Sequence, residues 1–374
     1  MTQPPLAGTD NRLKQLDGLR GLAIVGVLLN HFLPFTWTVW CGWTGVNLFF
    51  VLSGFLITRI LLLQRDLAAG GHSSLFRSIF IFYIRRSIRI FPLYYTVIIT
   101  MILFDFGNSR RVATPLATYT YNHHLLEGGK PHLWSLSVEE QFYLGWPALV
   151  LFMPARFLLP AMVAVFACGP AWRLGCFFQG TSRIPMYFHT LSCLDCLTAG
   201  SFLALFEKRG PESFARALRG SAAAGVPLMA IWALLCTFPT ALEWNRVGVQ
   251  WLIGNTAMAL FFAYVVGKAS GGLKGWIGRL LGFKPLIYMG TISYGIYVIH
   301  MFMPDVWDAF VAIRFPGWQL LKPPVMTLLA ILAGTVSWHA FENPIQSLKH
   351  FFPYKAGNRT VDPLAPSSKI GAAA

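Results

Sequence analysis

The sequence predicts an all-α bundle of about ten membrane-spanning helices with both termini in the cytoplasm. Three observations lead there. Of 374 residues, 55% are hydrophobic and 12% charged, with a mean hydropathy of +0.54, outside the range of soluble domains. Apolar stretches long enough to span recur at about 16–36, 43–63, 79–104, 134–152, 156–171, 190–206, 221–239, 249–268, 286–303 and 323–341. With the N-terminus inside, 22 of the 30 Lys and Arg fall in cytoplasmic segments, as the positive-inside rule requires. The net charge of +15 is then topological, and a nucleic-acid partner is not expected. Residues 1–12 are polar, so no cleaved signal is expected and the first span starts insertion. Residues 1–12 and 350–374 read as disordered tails around one membrane domain, 13–349, with no internal repeat and no added soluble domain.

The first span, LDGLRGLAIVGVLLNHF (16–32), carries Arg20 and His31 eleven residues apart. Eleven residues are three helical turns plus about 20°, so both side chains share one face, about 16 Å apart along the axis. A cation near the membrane edge and a titratable base deep inside look like a reaction site built into a bilayer. The second span contains GVNLFFVLSGFLIT (45–58). Ser53 and Gly54 allow close helix approach and a hydroxyl contact, and Asn47 sits near the outer end.

The following loop and third span are the most basic region: Arg59, Arg65, Arg77, Arg85, Arg86 and Arg89 against one acid, Asp66. Arg86 and Arg89 are three apart and neighbours on one helix face. Arginine suits phosphate through two parallel hydrogen bonds; the same composition suits a lipid-headgroup anchor. The connection at 105–133 holds His123, His124, His132 and Glu127 and reads as a solvated loop rather than a metal site.

The fourth span opens HLWSLSVEEQFYLGWPAL (132–149). Glu139 and Glu140 point about 100° apart, which argues against a shared role. Ser137 and Glu140 have capping-box spacing, leaving Glu139 as an intramembrane carboxylate expected at the depth of His31. The sixth span carries Asp195, with no basic neighbour in its own span; it must pair with another helix or stay protonated. The six cysteines form no disulfide or zinc framework, and Cys193-x-x-Cys196 reads as packing. In the ninth span, SYGIYVIH (293–300) ends on His300, which suits either a satisfied interface position or a site.

Together these segments resemble the acyltransferase-3 family of integral membrane proteins over about residues 13–349. The resemblance rests on the four motifs quoted above with RRSIRIFPLYY (85–95), LDCLTAGSFLAL (194–205) and SWHAFENPI (337–345), in order. It implies acyl transfer from cytoplasmic acyl-CoA to hydroxyls of sugars and other acceptors. Arg20 and His31 match the family's basic-x10-His motif, making His31 the catalytic base. Arg86 and Arg89 match its Arg-x-x-Arg motif, tied to the CoA phosphates, with Arg85 beside them. Glu139 matches the acid of its Ser-x-x-Glu pattern. The chain departs at Asn47, where the family often has an acid, and at Cys193, where it often has arginine; Asp195 then lacks the expected partner.

On this reading the donor is acyl-CoA, first acetyl-CoA, with no permanently bound cofactor and no metal. His31 takes the proton of the acceptor hydroxyl and Glu139 orients the ring. Arg20 balances charge; Trp134, Ser137, Gln141, His300 and Asp17 are expected to line the substrate site. The acceptor stays open among polysaccharides, peptidoglycan or lipid-linked sugars, oligosaccharides and small natural products. The expected location is a bacterial inner membrane. The rival reading is a transporter, since intramembrane His, Asp, Glu and Arg also build solute pathways.

Overall fold

In the computed structural model a helix stands at each of these apolar stretches, among the residues the structure describes. The structure describes residues 7–33, 35, 38–181, 183–237, 248–356 and 359–360. The long helices are α1 (Ala7–Phe32), α2 (Thr38–Ala69), α3 (Leu75–Phe104), α4 (Trp134–Phe152), α5 (Ala155–Phe178), α6 (Thr190–Lys208), α7 (Pro211–Thr237) and α8 (Gly248–Ser270). Shorter helices follow: α9 (Lys284–Thr291), α10 (Ser293–Ile299) and α11 (Lys322–Ser337).

Among the described residues seven helices are long and apolar enough to cross a membrane, or eight when the pair Lys284–Thr291 and Ser293–Ala312, bent by 58°, counts as one span. This makes the chain a multi-pass membrane protein. α1 and α4 fall outside that set because they carry polar residues: Asp17, Arg20, Asn30 and His31 in one, Glu139, Glu140 and Gln141 in the other.

α2 is the hub. Lipid offers little hydrophobic drive between helices, so close backbone packing must hold them together. Gly54 and Gly200 provide it. A Cβ at Gly54 would lie 1.8 Å from the Leu197 carbonyl oxygen on α6; one at Gly200 would lie 1.9 Å from that of Val51 on α2. One turn along the same seam, Thr58 donates to Ser201 Oγ (2.8 Å) and accepts from the Trp146 indole of α4 (2.7 Å). Asn47 also turns to this side, accepting from the Cys196 thiol (2.9 Å).

Asp195 has a partner after all. Arg173, from α5, meets its carboxylate at 2.6 Å with both side chains fully buried. Thr256 of α8 donates to the same oxygen (2.7 Å), and Arg173 Nε donates to the Leu252 carbonyl (3.0 Å). Of the two outcomes open to Asp195, pairing with another helix or staying protonated, the first is seen: the cation comes from α5 rather than from the position of Cys193. Removing one member of a buried pair strands the other, at a cost of about 3–5 kcal/mol. Arg173→Met is therefore expected to lower the thermal midpoint in detergent, and Arg173→Met with Asp195→Leu to recover much of the loss.

Candidate active site

A cavity of about 410 Å³ opens between α1, α2, α3, α4, α10 and the chain after α11. One stripe of α2 forms its apolar wall: Val46, Phe49, Phe50, Ser53, Ile57 and Ile60 recur at helical spacing. Five cations line it, Arg20, Arg85, Arg86, Arg89 and Lys349, against two acids, Asp17 and Glu139.

Arg86 is braced from three sides. Its Nη2 lies 3.7 Å from Glu139 Oε2, its Nε 3.5 Å from Glu140 Oε1, and its guanidinium carbon 3.7 Å from the centre of the Tyr143 ring. All three partners are on α4, and Ser53 of α2 adds a hydrogen bond to Glu139 (2.9 Å). Two expectations are corrected here. The capping box does not form: Leu133 is the N-cap without a side-chain bond, and the Ser137 hydroxyl is buried with no partner. The two glutamates do share a role, because the guanidinium fork is wide enough to meet carboxylates about 100° apart around a helix.

The other cations differ in how they are engaged. Arg20 pairs with Asp17 at 3.9 Å. Arg85 donates to the carbonyls of Lys349 and Phe352, both at 2.9 Å, and lies 4.7 Å over the Tyr354 ring. Burial pushes the Tyr354 phenol up, against the opposing pull of Arg85. Arg89 faces the cavity with no hydrogen bond or ion pair among the described residues.

His31 lies outside this cavity. It sits in the last turn of α1 and is exposed, not deep in the bundle. No hydrogen bond or ion pair joins it to Glu139 among the described residues. Its partner is His300: His31 Nδ1 lies 3.2 Å from His300 Nε2 and 3.0 Å from the Val27 carbonyl. His300 Nδ1 lies 2.7 Å from the Tyr297 carbonyl. Carbonyls only accept, so in the neutral rings both Nδ1 atoms carry the proton. His300 Nε2 then accepts from His31, and the lone pair of His31 Nε2 faces the Asn30 amide nitrogen at 3.5 Å. His132 stands behind, its ring 4.8 Å from that of His300 and its Nε2 3.2 Å from the Val298 carbonyl.

Tyr297 divides the cavity from these histidines. It lines the cavity, its hydroxyl bonds Ser135 (2.5 Å) and the His132 carbonyl (2.8 Å), and its ring lies 5.6 Å from those of His132 and His300.

Three residues expected at the substrate site do not line the cavity. Trp134 packs on Phe50 and Phe188. Ser137 is buried. Gln141 bonds the Tyr119 carbonyl (2.7 Å) and Asn122 (2.9 Å), tying α4 to the connection before it. Asp17 does line it, and His300 joins His31 instead. Sequence reading missed Ser53's partner, Tyr297 and Lys349, and took His132 for a loop residue. Tyr297 had a signal, lying three residues before His300 and so on its helical face.

The class is thus a multi-pass helical membrane protein with an acid-braced basic cavity beside a paired histidine. Residues 13–340 match the acyltransferase domain, and the chain belongs to the acyltransferase-3 family. It is similar to the peptidoglycan O-acetyltransferase OatA of Listeria monocytogenes, 27% identical over 92% of this chain and 58% of that protein. It is also similar to the O-acetyltransferase OatA of Staphylococcus aureus, 26% identical over 93% of this chain and 60% of that protein. The chain therefore spans a little over half the length of these curated relatives. No solved structure matches.

Because one guanidinium serves two carboxylates, Arg86→Met is expected to cost about 3 kcal/mol or more of stability. Arg86→Lys is expected to restore only part, since an ammonium is a point charge rather than a fork. Thermal melts of the detergent-solubilised variants measure both.

Proposed function

We propose that this chain transfers an acyl group, acetyl first, from acyl-CoA to a hydroxyl of a carbohydrate acceptor at a bacterial inner membrane. The observation that carries the reading is a basic cavity lined by Tyr297, whose ring abuts a hydrogen-bonded histidine pair, His31 and His300. The relatives' names point the same way for the acceptor: a peptidoglycan sugar is the first candidate. With the termini cytoplasmic, the cavity mouth faces the cytoplasm and His31 the far side.

In this mechanism Arg89 holds the donor's phosphates, and the thioester lies towards Ser135 and Tyr297. The acceptor reaches His31 from its exposed side. His31 Nε2 takes the hydroxyl proton as the oxygen bonds to the thioester carbonyl carbon. The C–S bond then breaks and the departing CoA sulfur takes the proton back, leaving both rings neutral. Such base catalysis is worth typically 10²–10⁴-fold. His300 takes the orienting part that sequence reading gave to Glu139, because its Nε2 accepts from His31 Nδ1 and favours the imidazolium. Glu139 holds Arg86. Tyr297 must swing aside for thioester and acceptor to meet.

The test is release of CoA from radiolabelled acetyl-CoA by protein in nanodiscs, with and without a glycan extract. His31→Ala is expected to lose roughly 10²–10⁴-fold of extract-dependent release while its melting point holds. His300→Phe, which keeps a ring but no acceptor, is expected to lower kcat more than it raises KM. A fully active His31→Ala variant sinks the mechanism. Absence of CoA binding in either protein favours solute transport instead.

A further inference from the structure

The segment after α11 runs from the end of the predicted membrane domain into the predicted tail at 350–374, and it is built into the cavity. Residues Ser347–Phe351 form a short 3-10 turn, and Tyr354 is 5% exposed. Arg85 fastens the segment through two backbone carbonyls, Lys349 and Phe352, and by lying over Tyr354. These bonds use main chain and ring, so none depends on the Lys349 side chain.

That side chain lines the cavity. Among the described residues its Nζ donates one hydrogen bond, to the neutral Gln346 amide oxygen at 2.7 Å. Among the described residues no carboxylate lies within ion-pair distance of Lys349 or Arg89. By contrast, Asp17 meets Arg20, and Glu139 and Glu140 meet Arg86. The cavity thus has two kinds of cation. One kind is neutralised by acids and holds the walls together. The other kind, Arg89 and Lys349, faces the same space from sequence-distant segments without an ion pair among the described residues. Cations gathered in a low-dielectric pocket repel until an anion enters between them.

We infer that Lys349 is a donor-binding residue, pairing with Arg89 to hold a phosphate of the nucleotide end of acyl-CoA. This rests on the acyl-CoA reading above. A phosphate monoester or diphosphate suits the pair, because each oxygen accepts a charge-assisted hydrogen bond from a different direction. A lipid headgroup offers the same phosphate chemistry, so the experiment must separate the two.

The experiment is steady-state transfer by the full chain in nanodiscs, with acetyl-CoA and with S-acetylpantetheine, which lacks the nucleotide and its phosphates. Lys349→Met is expected to raise KM for acetyl-CoA about tenfold or more, with kcat within about twofold and KM for S-acetylpantetheine unchanged. Lys349→Arg is expected to restore most of the affinity. The same shift in neutral and anionic lipid assigns the phosphate to the donor. A shift seen only in anionic lipid assigns Lys349 to headgroups and overturns the inference. So does an unchanged KM for acetyl-CoA, or an equal rise for both donors. If the wild-type protein turns over neither donor, the acyl-CoA reading itself fails, a result distinct from the others. Arg85→Met, which releases the segment, is expected to raise KM as Lys349→Met does, and supplies a second route if the first variant is poorly produced.

Discussion

Arg86 is where the site is joined together. A guanidinium inside a helical bundle is costly unless its charge is met on the spot. Here α4 meets it with two carboxylates and an aromatic face, and Ser53 links one of those carboxylates to α2. Three helices are thereby fixed around one cation, and the cavity is the space their remaining side chains enclose. Arg20, Arg85, Arg89 and Lys349 are placed relative to that frame. The clamp also explains why adjacent acids stand at the head of an otherwise apolar helix.

Much of the fold was legible because its signals are local. Length and hydropathy of a stretch are properties of that stretch, and helices stand at all the places they mark. The shared face of Arg20 and His31 follows from rotation per residue. Partner choice was not legible, because it depends on how each helix is rotated and raised against its neighbours. Spacing placed Glu139 on a face but not opposite Arg86, and gave no sign that Arg173 would reach Asp195 from 22 residues away. The partner of His31 was not legible either: spacing set it towards Glu139, whereas it meets His300. Trp134, Ser137 and Gln141 were inferred from proximity in sequence to Glu139, yet residues on other faces of the same helix serve other neighbours.

The tail at 350–374 shows a different limit. Its composition is that of a disordered end, and most of it lies outside the described residues. Its first residues are held because Arg85, more than 260 positions away in sequence, presents donors to their carbonyls. Composition reports what a segment can bury by itself, not what another part of the chain will do for it.

The glycine seam between α2 and α6 has a mechanical consequence. Side chains can change rotamer to let helices slide or roll, but at Gly54 and Gly200 one backbone rests directly on the other. That seam has no soft layer to absorb shear, so α2 and α6 move as one beam. Compliance in the bundle must then lie elsewhere, and the 58° break between α9 and α10 is a place where the chain already lacks a continuous hydrogen-bonded rod. Tyr297 and His300 both ride on the far side of that break, so they can be displaced together while the wall contributed by α2 stays still.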